Sequence, residues 1–181
     1  MKYFQLSAPL PLLLNNELRK ISISLPNLQP DSSFYLVLKL FSLTESSVLL
    51  DIEEQLQYMG QSPLRLSLET VKCLKMSNQK SQLYINPRKT LELEALLKNL
   101  DRVLSPLKLD FIRRKELPYI DLGESQTASP NQLAFFLEAA HYYSFSSFEL
   151  NEICLLERKV TPKHIVYLEH ARFSLRAEPN L

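Results

Sequence analysis

The sequence has almost no glycine: of 181 residues, only Gly60 and Gly123. Loops that cradle phosphates with backbone amides need several glycines in a short span, so neither a G-x-G-x-x-G turn nor a P-loop can be written here. The same scarcity disfavours collagen-like and flexible-linker architectures. Cysteine is equally sparse, with Cys73 and Cys154 far apart in apolar surroundings. Two distant cysteines make neither a zinc cluster nor a disulfide framework, and they read as buried thiols of a reducing compartment. Excess charge is missing too. The formal net charge is +1 with 23% charged residues, so nothing argues for duplex DNA or an anionic membrane as partner. No apolar run approaches the roughly 18 residues that cross a bilayer. The start, Met1 to Leu6, is followed by Pro9, Pro11 and Asn15-Asn16, and reads as a first strand and turn rather than a signal peptide. These absences place the chain in the cytoplasm and predict no cofactor and no metal.

What is abundant is apolar bulk. Hydrophobic residues make up 45% of the chain, enough for a real core. About a fifth of all residues are leucine. Their spacing shows one pattern used twice. In the first half, the segment Tyr3–Leu6 reads as a strand. Leu14, Leu18 and Ile21 mark a helix over residues 12–23, which Pro26 and Pro30 break. Phe34–Phe41 is a strong strand, residues 45–58 a second helix, and Leu64–Leu68 an alternating strand.

The second half repeats the order. Leu83–Ile85 is a strand, and Thr90 is suited to cap a helix over residues 92–104. Leu117–Leu122 is a strand with Pro118 at its start, and Pro130 opens a helix over residues 131–141. Phe148–Leu156 and residues 165–175 are the closing strands. The expectation is an α+β, duplicated, bilobal domain. Its lobes are residues 1–78 and 79–181, with strands exchanged between them, two small antiparallel sheets facing each other and helices outside. A groove on the duplication axis is where a site belongs.

Alternation decides which side chains line that groove. Leu36, Leu38 and Leu40 are uniformly apolar and take the core face, leaving Tyr35, Val37, Lys39 and Phe41 for the groove. Ile120 and Leu122 likewise go to the core and leave Tyr119 and Asp121 in the groove. A one-residue slip would bury Lys39 and Asp121 without partners.

These segments resemble the two-histidine phosphoesterases, which include the 2′-5′ RNA ligase-like proteins and cyclic phosphodiesterases. The stretch from Lys2 to Pro11 is similar to the family's opening strand and turn. Residues 35–41 resemble its first motif strand and residues 118–123 its second, where each strand carries His-x-Thr/Ser. Residues 148–158 and 171–175 are similar to its late strands. The resemblance implies the duplicated fold, and it implies catalysis by a base and an acid imidazole across a phosphodiester, with the hydroxyls binding phosphate.

Here the histidine positions are Tyr35 and Tyr119, and the hydroxyl positions are Val37 and Asp121. A phenol with a pKa of about 10 is a poor base at neutral pH, and a carboxylate repels phosphate. No catalytic residue is expected. The implied function is a non-catalytic module that binds a nucleotide or an RNA end, with Tyr35, Lys39, Tyr119, Asp121 and Phe4 as ligand-binding residues. Two other readings stand beside it. One is a rewired phosphodiesterase with Asp121 as base and Tyr35 or Tyr119 as acid. The other is a protein-interaction subunit with a relic groove. His141 reads as a cation closing a helix, and His164 and His170 as rim or surface residues. Arg113-Arg114-Lys115, just before the second motif strand, reads first as a solvated loop and second as a grip on a phosphate backbone.

Overall fold

The structure, a computed structural model, describes residues 2–25, 28, 33–43, 45, 47–77, 80–126, 129–160 and 165–176. Pro26, Pro30, His164 and the lobe boundary at residues 78 and 79 lie outside these.

The described chain runs β1 (Lys2–Pro9), α1 (Leu12–Ser22), β2 (Tyr35–Leu43), α2 (Val48–Gln57), β3 (Leu64–Leu66), β4 (Leu68–Lys75) and β5 (Lys80–Pro87). It continues with α3 (Leu91–Leu104), β6 (Asp110–Phe111), β7 (Tyr119–Gln126), α4 (Pro130–His141), β8 (Phe148–Leu150), β9 (Glu152–Val160) and β10 (Ile165–Ser174). The class is α+β, as the sequence pattern predicts. An eight-stranded sheet has the order β10-β9-β1-β2-β7-β5-β4, with β6 added beside β2. A second sheet pairs β3 with β8. Every pairing is antiparallel.

The long sheet is weakest in its middle. β2 and β7 share only two residue pairs, Leu36 with Ile120 and Val37 with Tyr119. β1 and β2, by contrast, are paired along their whole length.

Helix boundaries follow from local chemistry. Thr90 accepts a hydrogen bond from the Leu93 amide at 3.2 Å, satisfying one of the free donors at the start of α3. Ser129 and Gln132 bond each other's backbone amides ahead of α4, with Pro130 at its first position. The helices bury one stripe each against a single core. Leu14 and Leu18 come from α1, Ile52 and Leu56 from α2, Leu93, Leu96 and Leu100 from α3, and Phe136 from α4.

Two strands expected to be continuous are broken in matching ways. Residues 64–68 divide at Ser67, whose carbonyl accepts from the Arg88 amide at 2.8 Å. Residues 148–156 divide at Asn151, whose carbonyl accepts from the Leu175 amide at 2.7 Å. In both cases the spacer's carbonyl is taken by another segment, so the short strand before it is free to join the small sheet. β4 then runs on to Lys75, an edge strand the polar sequence did not announce.

A bulge changes one predicted face. The β1–β2 register shifts between Leu6 and Ser7, which pair with Lys39 and Val37 respectively. Alternation in β2 therefore reverses after Leu38. Leu36 and Leu38 are in the core as expected. Beyond the bulge, Phe41 is the core residue, Leu40 is only half-buried, and Lys39 turns to the helix side.

Candidate functional site

The four motif positions meet at the β2–β7 junction. Val37 lies opposite Tyr119, and Tyr35 and Asp121 extend the same face by two residues in each strand. Val37, Tyr119, Cys154 and Leu156 are buried hydrophobics that stand apart from the helix-covered core, so this face has its own packing. The registers align a row across five strands: Arg172 beside Cys154, Cys154 beside Ser7, Ser7 beside Val37, and Val37 beside Tyr119.

The face is concave. The Tyr35 ring meets the Tyr167 ring edge-on, with centroids 5.8 Å apart, although β2 and β10 are separated by β1 and β9. Such contact requires the sheet to curl over the row, which is why Ser7 and Cys154 beneath it are fully buried. Tyr119 meets Tyr84 of β5 in a second edge-on pair, at 6.2 Å. The two motif tyrosines thus each pair with another tyrosine rather than with one another.

Tyr119 is 5% exposed, and its hydroxyl accepts a hydrogen bond from Arg114 Nη1 at 3.2 Å. The same nitrogen lies 3.5 Å from Gln82 Oε1, and Gln82 Nε2 donates to Asp121 Oδ2 at 2.8 Å. The other Asp121 oxygen accepts from the Gly123 amide at 2.9 Å. Gly123 has φ 114°, a left-handed conformation open to glycine, and it sits where the β5–β7 register shifts. One of the chain's two glycines therefore shapes the turn that holds the motif carboxylate.

Burial governs the titration of these groups. It pushes the Tyr119 phenol above its ordinary value, with the Asp121 charge adding to it and Arg114 opposing. Burial also raises Tyr35, with the Glu169 charge adding to it and Arg172 opposing. It raises the Asp121 carboxyl as well, against the bonds from Gly123 and Gln82. Cys154 is pushed up to about 12, first by burial and then by Glu169, so it is an unreactive thiol. The cation beside it, Arg172, is committed to Glu152 at 2.8 Å and to Glu169 at 2.9 Å.

Two residues expected to bind ligand are elsewhere. Lys39 pairs with Asp101 of α3 at 2.6 Å, on the opposite side of the sheet, because the bulge turned it there. Phe4 is 1% exposed and stacks on Phe41 in the core. Both assignments to the groove are corrected. Arg114, by contrast, reaches the site from the loop that had solvation as its first reading. Tyr84, Gln82 and Tyr167 were not anticipated, since nothing in their own segments distinguishes them from ordinary strand residues. His141 ends α4 as expected, and His170 binds Glu157 at 2.9 Å. Among the described residues no cluster of histidine, cysteine and carboxylate side chains could hold a metal ion. No helix among them is long and apolar enough to cross a membrane.

No protein-family model matches the sequence. No curated protein matches it either. Solved structures do match in shape. TT0787 of Thermus thermophilus is 15% identical with a TM-score of 0.76, covering 99% of this chain and 100% of that one. Escherichia coli LigT complexed with 3′-AMP is 14% identical with a TM-score of 0.73, covering 96% and 98%. Kluyveromyces marxianus Usb1 is 11% identical with a TM-score of 0.51, covering 93% and 96%. The chain shares the α+β fold of these structures, the fold implied by its resemblance to the two-histidine phosphoesterases.

Proposed function

We propose that this chain is a non-catalytic protein of that fold which binds a nucleotide or an RNA end on the concave face. The observation that carries the reading is the state of Tyr119. Acid–base cleavage of a phosphodiester near neutral pH needs groups that gain and lose a proton there. Tyr119 is a buried phenol held protonated well into the alkaline range, and Tyr35 is raised in the same direction. Val37 offers no hydroxyl for a phosphate.

Features that favour binding remain. Tyr35 and Tyr84 are partly exposed aromatic faces on the same concavity, suited to a nucleobase. Arg114 spends only Nη1 on Tyr119 and Gln82, leaving its other donors for a phosphate. E. coli LigT has been seen with 3′-AMP, ATP and NADP+, which makes nucleotides the first ligands to try. The free thiols of Cys73 and Cys154 suit the reducing cytoplasm proposed as its setting.

The test is titration with 3′-AMP, 2′,3′-cyclic nucleotides and short RNA, read by amide chemical shifts and by product analysis. The expected result is perturbation at Tyr35 and Tyr84 with no turnover. Because base–aromatic stacking is worth about 1–3 kcal/mol, Tyr35→Ala should weaken binding about tenfold. Neither binding nor turnover would leave the protein-interaction reading.

A second reading has one observation in its favour: burial raises the Asp121 carboxyl, as a general base near neutral pH requires. Turnover of a cyclic phosphodiester that Asp121→Asn abolishes would establish it. Turnover surviving that substitution would remove it.

A further inference from the structure

After the Val37–Tyr119 pair, β2 and β7 diverge. β6 fills part of the fork by pairing with Phe41 and Ser42, and the Ile112 amide donates to the Leu40 carbonyl at 2.8 Å. Residues 112–118 then cross back to the start of β7. Between this crossing and β2 a wedge of about 360 Å³ stays unfilled, roofed by α3. It lies on the helix side of the sheet, where Lys39 meets Asp101.

The walls of the wedge are mostly apolar, with Leu38, Leu97, Phe111 and Leu117 among them. Its charges are three cations, Lys39, Arg113 and Arg114, against one carboxylate, Asp101. Lys39 and Asp101 satisfy each other at 2.6 Å. Among the described residues Arg113 makes no hydrogen bond or ion pair, whereas Arg114 turns its guanidinium to Tyr119 and Gln82 on the concave face. The wedge thus couples an apolar body with one uncompensated guanidinium, that of Arg113.

We infer that this fork is a second binding site, for a small amphiphilic anion. The ligand carries an aryl or short acyl body, which fills the wedge, and one carboxylate or phosphate head, which Arg113 receives. Size sets the limit: 360 Å³ equals the share of about a dozen water molecules in the liquid, so the ligand is compact. Pockets of this kind, apolar with a few convergent polar groups, are where small molecules bind. Guanidinium groups suit planar anions because they present paired donors.

The probes are 4-phenylbutyrate, its neutral counterpart 4-phenylbutanol, and inorganic phosphate, compared at fixed ionic strength by amide chemical shifts. The expected result is that 4-phenylbutyrate moves the amides of residues 38–40 and 112–114. Phenylbutanol and phosphate should each bind about tenfold more weakly, since each lacks one half of the recognition. Arg113→Gln, at an exposed residue whose loss disturbs no described contact, should weaken the acid about fivefold or more, as loss of a charge-assisted bond does. The inference is overturned if the acid shifts no amide of the fork, if the alcohol or phosphate binds equally well, or if Arg113→Gln leaves the acid's affinity unchanged. Nucleotide titrations report at Tyr35 and Tyr84 on the other face, so the fate of the groove reading is decided separately.

Discussion

Arg114 Nη1 donates to the Tyr119 hydroxyl at 3.2 Å, and this bond ties the loop before β7 to the second motif position. The guanidinium favours the phenolate, so it partly offsets the burial that pushes Tyr119 up. Arg114→Gln is therefore expected to raise the Tyr119 pKa further. The measurement is an alkaline titration of phenolate absorbance, in which the last phenols to ionise, above the ordinary value of about 10, move to still higher pH. A last step that stayed in place or moved down would contradict the assignment.

Asp121 and Glu157 predict stability slopes of opposite sign. The Asp121 carboxyl is raised in the folded state, so its stabilising contribution is whole below the ordinary carboxyl pKa of about 4 and is lost as pH rises through the folded value. Burial alone would raise Glu157, but His170, Lys159 and Lys2 outweigh it and hold the carboxyl low. Its contribution is present above the ordinary pKa and is lost as pH falls through the folded one. Urea midpoints compared across this range should show Asp121→Asn gaining on the parent as pH rises, and Glu157→Gln losing ground. Parallel curves for either variant would refute the corresponding shift.

The bulge in β2 puts Lys39 and Phe41 on the face opposite to the one simple alternation predicts, and the two are held there by different interactions. Phe4 stacks on Phe41 with ring centroids 5.9 Å apart, so Phe4→Ala should cost about 3–5 kcal/mol in denaturant unfolding. Lys39 pairs with an Asp101 side chain that is 60% exposed, so Lys39→Met should change stability by no more than about 1 kcal/mol. Nucleotide affinity should be unaffected by Lys39→Met. A clear loss of affinity would return Lys39 to the groove.

Ser7 occupies the middle of the cross-strand row, between Val37 and Cys154. It is fully buried, and its hydroxyl has no partner among the described residues. An unsatisfied hydroxyl there costs stability, so Ser7→Ala should raise the unfolding free energy by about 1 kcal/mol. A loss in its place would mean that the hydroxyl is bonded in solution.

Much of the fold was legible because its signals are local. Leu14, Leu18 and Ile21 recur at helical spacing, and Thr90 and Pro130 open their helices by their own chemistry. Lys39 and Phe41 were misplaced for a different reason. Their faces depend on one extra residue in β2 relative to β1, and alternation within a single strand carries no record of its partner's register. Tyr84, Gln82 and Tyr167 escaped notice because each is a common strand residue whose role comes from a neighbour distant in sequence.

By itself the sequence determined the α+β class, the positions of the helices, and the presence of tyrosines at residues 35 and 119 of two strands, because composition and periodicity are properties of short segments. Only the tertiary structure decided that each of those phenols meets another tyrosine edge-on, that Arg114 bonds Tyr119, that Lys39 faces a helix, and that the β2–β7 fork leaves a cationic wedge. Each of these depends on strand registers and on the curl of the sheet, which arise when distant segments pair and pack.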